Sequence, residues 1–190
     1  ALAGEVGAGW LTSRANTVPG WREAWQQVSQ GAKKAGKDPA SLNTVLFTTA
    51  CLLHPGEGLD SVRVKAQAGP WTTVALHSLY ETVQDPAAAP VPIQSTFAKY
   101  KAFMDQRLQA KDDYYFDLHD GHCLYVRAEE QQFVTPDIIP ATTLTAQPEA
   151  LLERLRALAH AGVKQVAFIP TFDAFEEFVT EFGEKIIARW

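Results

Sequence analysis

The clearest alternation of apolar and polar positions lies in residues 142–190. Leu151, Leu152, Leu155, Leu158 and Ala159 recur at three- and four-residue spacing, with Glu153, Arg154 and Arg156 between them. That pattern predicts an amphipathic helix. Pro148 and Glu149 suit its first turn, and Gly162 reads as a left-handed stop. Residues 163–169 are largely apolar, broken only by Lys164 and Gln165, as expected of a parallel strand buried on both faces. Pro170 ends that strand and Thr171 is the expected N-cap of a last helix. Phe175, Phe178, Val179, Phe182 and Ile186 are predicted to line one face of it. This αβα unit sets the fold class.

Upstream, residues 1–6 look like the last turns of a helix, so the chain is expected to begin inside an element. Residues 9–13 are a short strand candidate, and residues 20–37 carry a helical stripe of Trp21, Trp25, Val28, Ala32 and Ala35 that stops at Gly36. Residues 44–53 form a second apolar strand, giving a βαβ order and a parallel sheet. Residues 59–84 are predicted to be helical, with a kink or break at Gly69-Pro70. A proline-rich connector follows at 85–92. Ser95-Thr96 is the expected cap of a helix reaching Leu108. Residues 112–140 are dense in aromatics, acids and histidines, with a short helical turn expected after Thr135-Pro136. The interval between the second and third strands exceeds what a crossover needs, and in an α/β barrel such an insertion lies over the C-terminal face.

A chain of 190 residues suffices for one domain. Its net charge of −5 argues against nucleic acid or an anionic membrane as partner, because no basic stripe exists to neutralise phosphates. No apolar run approaches the roughly 18 residues of a membrane span. Cys51 and Cys123 could pair, but a reduced, cytoplasmic protein is the more economical reading. The tryptophans at 10, 21, 25, 71 and 190 are expected mostly in the core.

The densest polar cluster is Asp117-Leu118-His119-Asp120-Gly121-His122-Cys123. His119 and His122 fit three readings: donors or acid/base groups facing a substrate or cofactor pocket, metal ligands if the segment is helical, or loop histidines bonded to local backbone. Gly121 argues against a helix, so the pocket reading is preferred, His119 and His122 are the catalytic candidates, and no metal is assigned. Ser13 and Arg14, after the first strand, could hold an anionic group, and Thr48 could reach a pocket from the second strand; a solvated loop cation and strand filler are the bland alternatives. No GxGxxG, Walker loop, nucleophile elbow or HExxH occurs.

Four stretches carry a family resemblance. Ala3-Gly4-Glu5-Val6-Gly7-Ala8-Gly9-Trp10-Leu11 resembles an "AGxxADGW" stretch, and Ala35-Gly36-Lys37-Asp38-Pro39 an "AGRDP" helix ending. Residues 143–170 are similar to "TLTGTPEELxERLRALxxAGVDxVxxxP". His119-Asp120-Gly121-His122, with Val126-Arg127-Ala128-Glu129-Glu130 and Phe133-Val134-Thr135, looks like "HRGHLxxVRPEERPFVT". In this order they resemble the C-terminal part of bacterial-luciferase-like flavin-dependent oxidoreductases. Ala146 stands where those proteins have glycine, Gly7-Ala8-Gly9 where Ala-Asp-Gly is usual, and Asp120 where arginine is. The last departure removes a positive charge beside the histidines.

The resemblance implies an α/β fold, the C-terminal part of a (β/α)8 TIM barrel with a long helical insertion between its last two strands. Residues 1–54 would hold strands six and seven, 55–141 the lid, and 142–190 the closing unit. It further implies monooxygenation with FMN, or hydride transfer with a deazaflavin coenzyme, on a small organic substrate. The flavin could be supplied by a reductase. Three strands cannot close a barrel, so a homo-oligomer or a missing N-terminal barrel segment is the expected partner. The alternative is a shortened, non-catalytic protein that binds flavin or dimerises. A zinc-dependent binding module is the third reading.

Overall fold

The computed structural model of the chain describes residues 1–13, 16–108 and 113–190, leaving out the side chain of Phe172. In chain order the elements are α1 (Leu2–Val6), β1 (Gly9–Thr12), α2 (Val18–Lys34), β2 (Asn43–Thr48), α3 (Val62–Thr82), α4 (Gln94–Arg107), α5 (Tyr114–Leu118), α6 (Ile139–Thr142), α7 (Pro148–His160), β3 (Gln165–Phe168) and α8 (Phe175–Lys185), joined by short 3-10 turns. The three strands form one parallel sheet in the order β1-β2-β3, with Leu11 beside Val45 and Phe47 beside Ala167. The fold is therefore mixed α/β around a small parallel sheet.

One face of the sheet is covered by α2, α7 and α8. Leu46 packs there with Trp21, Leu151, Leu158, Phe182 and Ile186. Two hydrogen bonds fix the return from α7 into β3: Trp21 Nε1 donates to the Ala161 carbonyl at 3.1 Å, and Thr44 Oγ1 donates to that of Gly162 at 2.6 Å. Gly162 adopts φ +103, the left-handed stop expected of it. The helix α1 lies so close against α2 that a Cβ on Gly4 would meet the Val28 carbonyl at 1.9 Å. A second core joins α3, α4 and α5 through Leu76, Phe97, Tyr100, Met104 and Leu118.

The structure corrects several expectations. Neither β2 nor β3 is buried on both faces. Thr44, Leu46 and Thr48 are buried while Val45 and Phe47 are half-buried, and β3 starts at an exposed Gln165. With three strands, the face opposite α2 and α7 has only the insertion to cover it. Trp71 of α3 reaches Phe47 edge-on at 5.2 Å, but Leu11 stays 59% exposed. The second strand ends at Thr48 instead of Leu53. Residues 49–53 leave the sheet to bond the chain before α7, with Leu144 N donating to Thr49 O at 2.9 Å and Leu53 N to Ala146 O at 3.0 Å.

Helix α3 is one element through Pro70, not two. It is buried from Gln67 to Thr73, and Thr72 and Thr73 turn their hydroxyls back to the Ala68 and Pro70 carbonyls at 3.0 and 2.9 Å. Tertiary packing thus overrides the local cost of proline. Ser95 and Thr96 do not cap α4, and Thr171 does not cap α8; both helices start without a side-chain cap. The apolar stripe of α8 splits, with Phe182 and Ile186 buried but Phe175 and Val179 exposed. Trp190 is likewise exposed, at 64%. Cys51 and Cys123 are both free thiols. No helix among the described residues is long and apolar enough to cross a membrane.

Candidate functional site

Ser13 follows the last residue of β1, and α2 opens four residues later behind Thr17, whose Oγ1 accepts from Gly20 N at 3.3 Å. Between this corner and α3 lies a cavity of about 710 Å³. Trp71, Val74, Ala75 and Leu79 of α3, with Pro92 and Ile93, supply apolar lining. Ser13, Asn16 and Thr17 supply polar lining, as do Glu81, His119 and His122. Asn16 is held in place by its Nδ2, which donates to the Thr142 carbonyl at 2.8 Å.

The histidines sit where α5 ends. His119 N bonds Tyr115 O at 3.0 Å, and His122 N bonds His119 O at 3.0 Å. Gly121 then takes φ +78, a conformation that costs glycine little, and turns the chain so both imidazoles point the same way. Their Nδ1 atoms lie 3.1 Å apart, and His119 Nε2 lies 3.0 Å from Glu81 Oε1 on α3. A third imidazole, His77 of α3, closes the group, with ring centroids 5.4 Å from His119 and 6.0 Å from His122. Burial, reinforced by the neighbouring His119 and His77, pushes the His122 pKa down.

Beneath the imidazoles lies a buried polar network. Glu130, only 1% exposed at its side chain, accepts from Tyr100 Oη at 3.0 Å and Arg127 Nε at 3.0 Å, and its Oε1 is 3.4 Å from His77 Nε2. Arg127 also donates to the Asp117 carbonyl at 2.5 Å, fastening the segment that carries the histidines. Burial alone would raise the Glu130 carboxyl. Hydrogen bonds from His77 and Arg127 outweigh it and hold the pKa at about 2. Burial, with Glu130 beside it, pushes the Tyr100 phenol far up. Tyr100 therefore stays a neutral donor.

Of the residues singled out from the sequence, Ser13, His119 and His122 come together on one cavity. Thr48 does not join them: it is fully buried, and its hydroxyl donates to the Thr49 carbonyl at 3.4 Å. Arg14 lies outside the described residues. Sequence reasoning missed His77, Glu81 and Tyr100, which sit on helices whose apolar stripes drew attention first. Arg127 and Glu130 offered a signal, opposite charges three apart within an aromatic-rich segment, but only as part of a motif.

No protein-family profile matches the chain. Among solved structures, the fold is similar to the coenzyme F420-dependent tetrahydromethanopterin reductase of Methanopyrus kandleri. The TM-score is 0.55 at 16% identity, covering 98% of this chain and 46% of that one. This chain thus spans about half the length of that protein. At this level of identity the likeness concerns the fold alone: this chain shares the backbone arrangement of part of an F420-dependent reductase.

Proposed function

We propose that the chain is the C-terminal part of a luciferase-like (β/α)8 barrel that serves a flavin- or deazaflavin-dependent oxidoreductase acting on a small organic substrate. The observation that carries this reading is the position of the cavity. It lies beyond the C-terminal end of β1 and under the insertion that follows β2, where parallel α/β folds keep their ligand sites. The resemblance of the four sequence stretches admits either coenzyme, and the fold likeness to a protein named for coenzyme F420, a deazaflavin, supports the second.

The cavity suits the ring of such a coenzyme better than its phosphate. Its volume lies within the roughly 300–1,000 Å³ of small-molecule sites, and Trp71, Val74 and Leu79 offer an apolar surface for an isoalloxazine-like ring. Ser13, His119 and His122 would then hold polar edges of the ring or substrate. Among the described lining residues there is no lysine or arginine, while Glu23 and Glu81 are both present. The first turn of α2 offers an anion little, because Pro19 has no N–H and Gly20 N already donates to Thr17 Oγ1. When bound, the coenzyme supplies the hydride chemistry; the protein's part is to orient it and exclude water. Strands completing a barrel would come from another segment or a second copy. The exposed Leu11 on the open sheet face supports that part.

Glu23 and Glu81, the charged carboxylates among the described lining residues, favour one alternative, a non-catalytic relative that binds flavin weakly or only dimerises. Titrating the chain with coenzyme F420 and with FMN, read by coenzyme fluorescence and Trp71 quenching, tests the proposal. Saturable binding of one equivalent, stronger for F420, is expected. A folded chain that binds neither coenzyme would sink it. Oxidation of the bound reduced coenzyme by added substrates separates enzyme from passive binder.

A further inference from the structure

We propose that His77, His119 and His122 form a binding site for a first-row divalent transition metal ion, with zinc as its representative, at one end of the cavity. One ring nitrogen from each of the three lies within 4.8 Å of the other two. From the sequence no metal is assigned here, because Gly121 argues against the helix that would align the two histidines; the fold adds a third ligand. Helix α3 supplies it.

The hydrogen bonds decide which nitrogens are free. His119 Nε2 faces the Glu81 carboxylate and His77 Nε2 the Glu130 carboxylate, so each of these nitrogens carries the proton. In the neutral rings Nδ1 is then a bare lone pair on both. His77 Nδ1 is buried and has no hydrogen-bond partner, an expensive arrangement for a side chain 1% exposed. His119 Nδ1 has only His122 Nδ1 opposite, at 3.1 Å. A single N–H···N bond could satisfy that pair, but it leaves His77 unanswered. A cation bound through the three Nδ1 atoms would satisfy all of them.

The surroundings fit the ion as well. Tetrahedral zinc with Zn–N near 2.0 Å places its ligand atoms roughly 3.3 Å apart, close to the His119–His122 separation. A carboxylate on the far nitrogen of a ligating imidazole, as Glu81 and Glu130 provide, fixes the tautomer and raises ligand basicity. Three neutral imidazoles suit zinc, cobalt, nickel or copper over magnesium or calcium. Because His119 and His122 line the cavity, the fourth coordination position opens onto it and would take water or a ligand oxygen. The site shares His119 and His122 with the cavity proposed for the coenzyme, but every ligand in it belongs to this chain, so metal binding can be measured with no coenzyme present.

The test uses the full chain, freed of metal by chelator and of coenzyme. Titration with Zn²⁺ by calorimetry, and with Co²⁺ by visible absorption, should each saturate at one equivalent, with a tetrahedral cobalt spectrum. His119→Ala and His122→Ala should each weaken zinc binding by at least about tenfold. Glu81→Gln, which leaves the ligands in place, should weaken it by about 10–100-fold. Circular dichroism checks that each variant folds; His77→Ala, which opens the core, is read only alongside these surface variants. Absence of stoichiometric binding by the wild type overturns the proposal. So does binding that survives loss of both loop histidines, which would place the ion at His54, Glu177 and Glu181 instead. Coenzyme titration of the same metal-free protein reports on the flavin reading separately.

Discussion

The Nε2 atom of His119 lies 3.0 Å from Oε1 of Glu81, a contact that bridges the end of α5 to the last turns of α3. It is part-exposed on both sides and therefore weak as a source of stability, but it sets how the histidine loop meets the cavity. Glu81→Ala should lower global stability by no more than about 1 kcal/mol while raising amide exchange in residues 119–125. Hydrogen exchange with mass spectrometry checks this. Unchanged exchange in the loop would mean the contact does not position it.

Arg127 and Glu130 should behave differently, because both are buried. Arg127→Met leaves the Glu130 carboxylate without its main cation in a dry core and should cost about 3–5 kcal/mol. The pair Arg127→Met with Glu130→Leu should recover part of that loss. Denaturant unfolding of the single and double variants measures the difference. An additive result would contradict the coupling drawn from the geometry.

Acid should weaken the junction between β2 and α3. Arg63 hydrogen-bonds Glu57 through Nε and Nη2, at 3.1 and 2.5 Å, and lowers its carboxyl pKa to about 2 from an ordinary 4.5. A pKa lower in the folded than in the unfolded chain means that folding favours the ionised form. This contribution is complete above about pH 5 and is lost as pH falls from 4.5 through about 2. With solvent screening it amounts to about 1–2 kcal/mol. Glu57→Gln should flatten the pH dependence of stability across that window, measured by denaturant midpoints at stepped pH.

Filling the cavity tests whether it is the coenzyme site. Ala75 lines it from α3 and is only half-buried. Ala75→Trp should abolish coenzyme binding, a loss of at least about tenfold in affinity, while the thermal midpoint stays near that of the parent. Fluorescence titration of the variant beside the parent decides it. Undiminished binding would move the coenzyme elsewhere on the chain.

Much of the scaffold can be read from local spacing. The stripe of Leu151, Leu152, Leu155 and Leu158, the stop at Gly162 and the short apolar run after it define α7, β3 and a parallel α/β fold, because each depends on residues within a few turns of one another. The same locality limits what can be read. Of the kink or break expected at Pro70, the break does not occur, because the packing of residues 67–73 outweighs the lost hydrogen bond. The strand begun at Asn43 ends early, because residues 49–53 bond to Leu144 and Ala146 and not to a neighbour in the sheet.

The candidate site shows the limit most clearly. The sequence by itself determined that His119 and His122 stand three residues apart with Gly121 between them, a local matter. Only the tertiary structure decided their company. His77, Glu81, Tyr100 and Glu130 come from helices and turns far apart along the chain, and no periodicity links them to the pair. They meet because α3 and α4 bury a shared apolar face, and that face sets which polar groups are enclosed with it. Ser13 reaches the same cavity only because β1 ends beside α3. Secondary structure is written in near neighbours; the chemistry of this site rests on distant ones.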